Sequence, residues 1–169
     1  MFIDDILIYS KNNEEHAQHL RIVLTRLREH KLYAKFSKCE FWLDQVQFLG
    51  HILTPKGISM DPSKVQDVLN WKSSKSVHQI RQFLGLAGYY RYFIPDFSKI
   101  AQPMTKLVQK EVKFVWNLAC EEAFQALKKF LTTAPVLAQP DIDRPFDVYC
   151  DASKTGLGCV LMQDGHVIA

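Results

Sequence analysis

Two adjacent acids, Asp4 and Asp5, interrupt an otherwise apolar run, Phe2-Ile3-Asp4-Asp5-Ile6-Leu7-Ile8-Tyr9. β-Branched and aromatic residues dominate this run, so it reads as a buried strand. Successive side chains of a strand point to opposite faces. Two carboxylates inside an apolar strand are therefore costly unless a tight turn or a metal ion accommodates them. Adjacent aspartates near a hairpin turn suit Mg²⁺, a hard cation that takes oxygen ligands. Two such ions about 4 Å apart clamp the attacking and leaving oxygens of a phosphoryl transfer. Taken alone, the pair is more simply a surface turn carrying two solvated aspartates.

Beyond the acids, the hydrophobic period changes several times. Ser10-Lys11-Asn12-Asn13 is a turn, and Asn13 is placed to cap a helix whose first turn holds Glu14 and Glu15, favourable for the helix dipole. Ala17, Leu20, Leu24 and Leu27 give that helix an apolar stripe, to about residue 30. Residues 32–58 alternate in short runs and predict two or three strands, with Pro55-Lys56-Gly57 as a turn. Pro62 then sits at the first position of a helix whose apolar face is Val65, Val68, Leu69 and Trp71. Ser76 caps the next helix, which carries Ile80, Phe83, Leu84 and Ala87, extends to about residue 93 and is stopped by Pro95. Further helices are expected over residues 98–108 and 121–131. Pro135, Pro140 and Pro145 punctuate a connector, and residues 145–151 and 156–163 read as a β-hairpin. The final residues, 166–169, look like a strand cut short. The fold class is α+β.

The 169 residues suit one compact domain or two small subdomains, and 47% hydrophobic content is enough for a core. A net charge of +3 permits nucleic-acid binding without demanding it. Arg26, Arg28, Lys31, Lys35 and Lys38 cluster in one stretch, which by itself is read first as a solvated face. Cys39, Cys120, Cys150 and Cys159 form no CxxC pair, so reduced thiols are the expectation. His16 and His19 lie one helical turn apart, but no third ligand accompanies them to complete a zinc site. No apolar run is long enough for a membrane span, and Asp4 and Asp5 break what would be the apolar region of a signal peptide. The expected location is intracellular, cytoplasmic or nuclear.

The motif Phe2-Ile3-Asp4-Asp5-Ile6-Leu7-Ile8-Tyr9-Ser10 closely resembles the paired-aspartate motif of reverse transcriptases from gypsy-type LTR retrotransposons. The helical pattern of residues 16–27 is similar to the palm helix that follows it. Lys38-Cys39-Glu40-Phe41 with Phe48-Leu49-Gly50-His51 resembles the segment that closes the palm, and residues 83–94 look like the thumb helix. Residues 116–135 and Val148-Tyr149-Cys150-Asp151-Ala152-Ser153 resemble the tether and first strand of the ribonuclease H-like domain. The five segments occur in the family's order and cover essentially the whole chain.

The resemblance implies a partial palm sheet over residues 1–59, helical thumb elements over 60–110, and a connector with the first strands and a helix of a ribonuclease H-like domain over 111–169. It implies that Asp4 is the metal-binding polymerase aspartate, Asp5 its partner, and Asp151 the first metal-binding acid for RNA-strand hydrolysis. Phe2 stands where many reverse transcriptases carry Tyr. Arg81, Gly85 and Tyr89 share one helical face by their spacing of four. A glycine there admits a nucleic-acid backbone, while Arg and Tyr supply phosphate contact and stacking. The alternative is that Gly85 and Gly88 serve helix packing and the tyrosines belong to the core or its rim. Lys64, Lys72 and Lys75 are further candidates for phosphate contact.

The implied partners are an RNA/DNA hybrid or primer-template duplex and, for the parent enzyme, deoxynucleotides and Mg²⁺; no membrane is implied. Such a polymerase site needs another aspartate and fingers, and a ribonuclease H site needs several acids. The chain is thus expected to be an inactive fragment of a reverse transcriptase with associated ribonuclease H. The competing readings are a non-catalytic nucleic-acid-binding module and a decayed remnant of the polyprotein.

Overall fold

The computed structural model describes residues 4–153 and 156–169, so Phe2 and Ile3 of the opening motif lie outside the described residues. The chain divides into two compact units, one ending at Asp44 and one running from Gln45 to Ala169.

In the first unit, α1 (Asn13–Glu29) is capped one residue earlier than the sequence suggests. The Asn12 side chain, not that of Asn13, accepts the Glu15 backbone N–H at 2.8 Å. Both residues are competent caps, and the one with extended backbone at the helix entrance takes the role. The strand expected over residues 2–9 is not continuous. Asp4 lies in a turn, Asp5 makes an isolated bridge, and residues 6–10 belong to no regular element. Of the two or three strands expected over residues 32–58, none forms before Val46, and a short 3₁₀ turn, Phe36–Lys38, lies in that earlier stretch. Alternation alone does not make a strand, which also needs a neighbour to complete its ladder. No residue of α1 is buried. His16 and His19 each turn Nδ1 toward the Ser10 hydroxyl oxygen, at 3.3 and 2.8 Å.

The second unit begins with an antiparallel meander: β1 (Val46–Phe48), β2 (His51–Thr54) and β3 (Gly57–Met60). Phe48 pairs with His51, leaving Leu49 and Gly50 as the loop, both at positive φ (49° and 73°). Positive φ at both central residues is the turn form that matches strand twist. Leucine is disfavoured there, and the turn is held from outside. The Tyr89 hydroxyl donates to the Leu49 carbonyl at 2.6 Å, and the Tyr90 hydroxyl to that of Gly50 at 2.8 Å. Burial pushes the Tyr90 phenol up to about 12, so it remains a donor.

Four helices follow: α2 (Pro62–Leu69), α3 (Val77–Tyr89), α4 (Phe97–Leu107) and α5 (Leu118–Thr132). Ser76 caps α3 as the sequence predicts, and Asp61 caps α2 ahead of Pro62. Asp61 accepts from the Ser63 N–H at 2.8 Å and from Gln47 Nε2 at 2.5 Å, so one carboxylate joins β1 to α2. The hydrogen bond from the Ser63 backbone is the main influence holding that carboxyl below its usual 3.8. Helix α3 ends at Tyr89, short of the expected residue 93, and Arg91–Phe93 continue as a 3₁₀ turn. Val68, Ile80, Phe83, Met104, Phe124, Leu127 and Leu131 are fully buried and form the centre of the core.

The connector after α5 is tied down by backbone pairing of Ile58 with Leu137, at 2.8 and 2.9 Å. Gly57 makes this possible. Its φ is +136°, and a Cβ there would collide with the Leu137 carbonyl oxygen. Gly57→Ala is therefore expected to destabilise this unit by more than about 1 kcal/mol, read as a lower urea midpoint; an unchanged midpoint would show that the connector does not need this approach.

The chain closes with a second antiparallel meander, β4 (Asp147–Ser153), β5 (Gly156–Gln163) and β6 (His166–Val167). The predicted hairpin is present. Gln163, only 5% exposed, clamps the preceding loop: it accepts the Asp141 N–H at 2.8 Å and donates to the carbonyls of Asp141, Arg144 and Pro145.

Candidate catalytic acids and nucleic-acid interface

The acids singled out in the sequence belong to different compact units. Asp4 and Asp5 are exposed neighbours at the start of the first unit. Asp151 is exposed on β4 of the second unit, paired across the hairpin with Gly158. Among the described residues no three His, Cys, Asp or Glu side chains converge. In kind, the Asp4–Asp5 donor set fits Mg²⁺, which is commonly held by one or two carboxylates together with substrate phosphates. Asp151 offers a single carboxylate of the same type.

The second feature is the outer face of α3. Ile80, Phe83 and Ala87 turn into the core, which leaves Arg81, Gly85 and Tyr89 on the exposed side. Gly85 is decisive among them. A Cβ built there meets nothing within 4 Å. Among the described residues of its own unit, packing against another helix therefore does not explain this glycine, although it stands in a helix interior where Gly costs about 1 kcal/mol relative to Ala. Gly88 is different, since a Cβ there would touch the Phe97 ring at 3.9 Å.

The flanking side chains are partly engaged. Arg81 donates to the Val108 carbonyl at 3.4 Å, at the C-terminal end of α4, while staying exposed. Tyr89 is 50% exposed and packs edge-on against Tyr90, with ring centroids 4.9 Å apart. Its hydroxyl is committed to Leu49, so a ring edge and face are what it offers outward. Lys64 pairs with Asp67 at 3.4 Å on α2, whereas Lys72 and Lys75 lie exposed on the segment between α2 and α3.

Lys128 has a role that its place in the sequence does not signal. Its ammonium donates to the carbonyls of Leu69 and Trp71, at 2.9 and 2.8 Å, and sits 5.4 Å from the Phe124 ring centre. It satisfies the end of α2 and is a structural cation, not a phosphate ligand. A lysine on the last turns of an amphipathic helix gives no sequence signal for that task, because its acceptors lie on a distant segment.

Two family models match the chain. One described as reverse transcriptase (RNA-dependent DNA polymerase) covers residues 1–53, and one described as an RNase H-like domain found in reverse transcriptase covers residues 116–168. The chain is 41% identical over 170 aligned residues to the retrovirus-related Pol polyprotein from transposon 297 of Drosophila melanogaster, spanning 100% of this chain and 16% of that protein. It is 34% identical over 180 aligned residues to the Pol polyprotein from transposon gypsy of the same fly, spanning 99% of this chain and 17% of the relative. Among solved structures, a foamy viral protease–reverse transcriptase in complex with double-stranded DNA superposes with a TM-score of 0.78 at 23% identity, covering 94% of this chain and 28% of that one.

Proposed function

Because the chain belongs to the reverse transcriptase and ribonuclease H-like region of LTR-retrotransposon Pol polyproteins, we propose that α3 is its nucleic-acid track and that Asp4, Asp5 and Asp151 are its catalytic acids. The parent reactions are RNA-directed DNA synthesis and hydrolysis of the RNA strand of a hybrid. The chain spans about a sixth of the length of the curated relatives it matches, and both activities belong to the larger protein. Asp4 and Asp5 would hold Mg²⁺ at the polymerase site and Asp151 at the ribonuclease H-like site, where the cation neutralises charge developing on phosphate oxygens. The segments fall in the order palm, thumb and connector. No helix among the described residues is long and apolar enough to cross a membrane.

The observation that carries the track is the bare position at Gly85 between Arg81 and Tyr89 on an exposed helix face. Without a Cβ, the backbone of α3 can lie close against sugar and phosphate, with Arg81 at one side for a phosphate and the Tyr89 ring at the other. The expected partner is an RNA/DNA hybrid or primer-template duplex.

Gly85→Ala tests this with two readings of opposite sign. The substitution removes a helix-interior glycine facing open space, so the urea midpoint should rise, by about 0.5–1 kcal/mol in stability. Affinity for a fluorescent RNA/DNA hybrid should fall. Arg81→Ala should weaken binding and lower the salt slope by about one. A more stable Gly85→Ala protein with undiminished affinity would overturn the assignment of α3 as the track.

A further inference from the structure

The β4–β5 hairpin places two cysteines directly opposite each other. Cys150 and Cys159 are register partners, and both are exposed. Their sulfurs lie 3.2 Å apart, with the Cys159 thiol donating to Cys150 Sγ. Directly opposed residues of an antiparallel pair have Cα atoms about 4.5–5.5 Å apart, inside the range a disulfide spans. The other two cysteines are placed differently. Cys120 is buried in the core, and Cys39 lies in the other unit with its thiol directed to the Lys35 carbonyl at 3.3 Å.

We propose that Cys150 and Cys159 form a reversible intramolecular disulfide by exchange with a low-molecular-weight disulfide such as oxidised glutathione, making this hairpin a redox modification site next to Asp151. The Cys150 thiol loses its proton to solvent, and the thiolate attacks one sulfur of the small disulfide. That S–S bond breaks, a mixed disulfide forms, and one small thiolate leaves. Cys159 then gives up its proton, and its sulfur attacks Cys150 Sγ and expels the second small thiolate. The two cysteines are oxidised by two electrons in total, and the small disulfide is reduced to two thiols. In a reducing compartment the bond would be transient.

The consequence follows from the register. A covalent link at this pair fixes the strand that carries Asp151 one residue away, and prevents β4 from slipping against β5. The proposal depends on the sulfur geometry alone and stands whether or not Asp151 is catalytic.

The test is equilibration of the 169-residue chain in graded mixtures of reduced and oxidised glutathione, followed by acid quench, proteolysis and mass spectrometry. The expected product is a peptide pair joined through Cys150 and Cys159, lighter than the reduced form by two hydrogens, in a yield independent of protein concentration. Cys159→Ser should halt the reaction at a glutathione adduct on Cys150, while Cys39→Ser should leave the linked product unchanged. A wild-type chain that accumulates glutathione on Cys150, or links through Cys39 or between molecules in preference, would overturn the proposal. Because the wild-type mapping is itself decisive, the result does not depend on any variant folding.

Discussion

Phe83→Ala is expected to lower the unfolding free energy of the 45–169 unit by about 3–5 kcal/mol. Phe83 is completely buried. Its ring centre lies 4.6 Å from that of Phe124 on α5 and 5.7 Å from that of Trp71, two residues past the end of α2. Truncation would leave a cavity between three elements at once. It would also remove aromatic contacts that add about 0.5–1.5 kcal/mol beyond area burial. The surroundings are poorly placed to collapse into the gap. Phe124 is held on its other side by Trp116, whose indole N–H is fixed to Glu121 at 2.7 Å, and Lys128 is anchored to the end of α2. Urea unfolding followed by tryptophan fluorescence gives the answer, since Trp71 and Trp116 both report on this cluster. A loss of less than about 1 kcal/mol would mean that Phe83 is not central to the packing, because deletion of a large buried side chain normally exceeds that.

This cluster was largely legible in the sequence. Ile80, Phe83 and Ala87 recur with helical period, and Pro62 and Ser76 mark the starts of α2 and α3, whereas α3 ends at Tyr89, ahead of the stop expected from Pro95. What was not legible is what depends on distant partners. The apolar run at residues 6–9 reads as strand, yet no ladder forms there. The start of α2 was recognisable from Pro62, but the bond from Gln47 to Asp61 follows from how the first meander sits against α2. Tyr89 was read as a stacking residue or part of the rim; its hydroxyl proves to support a strained turn forty residues earlier. The same limit applied to Gly85, whose spacing from Arg81 and Tyr89 put it on one face without saying whether anything packs there. The open space around it removes the packing explanation for that residue, and at Gly88 a Cβ would make only an ordinary contact with the Phe97 ring. The hairpin itself was expected, but the facing of Cys150 and Cys159 depends on its exact register, which turn length and strand bounds together determine.

Asparagine at Asp4 and at Asp151 should separate the two proposed chemistries. In a Pol-length protein containing this segment, Asp4→Asn is expected to reduce primer extension by at least on the order of a hundredfold while leaving RNA-strand cleavage intact, and Asp151→Asn is expected to do the reverse. The magnitude follows from comparison with outer-shell residues of metal sites, whose loss already costs about 10–100-fold; a direct ligand should cost no less. Asparagine keeps the shape and one oxygen of aspartate but removes the charge that a hard divalent cation requires. The effects are expected to separate because Asp4 falls in the segment matched by the reverse transcriptase model, residues 1–53, and Asp151 in that matched by the RNase H-like model, residues 116–168. The 169-residue chain by itself is expected to carry out neither reaction. A two-metal phosphoryl-transfer site needs more carboxylates than the adjacent pair Asp4–Asp5 or Asp151 alone supplies. The purified chain should thus give no primer extension and no RNA cleavage in Mg²⁺, even where it binds hybrid through α3. Extension or cleavage by that chain, lost on Asp4→Asn or Asp151→Asn, would show that these few acids suffice. Loss of both activities from either single substitution in the longer protein would instead show that the acids do not serve separate sites.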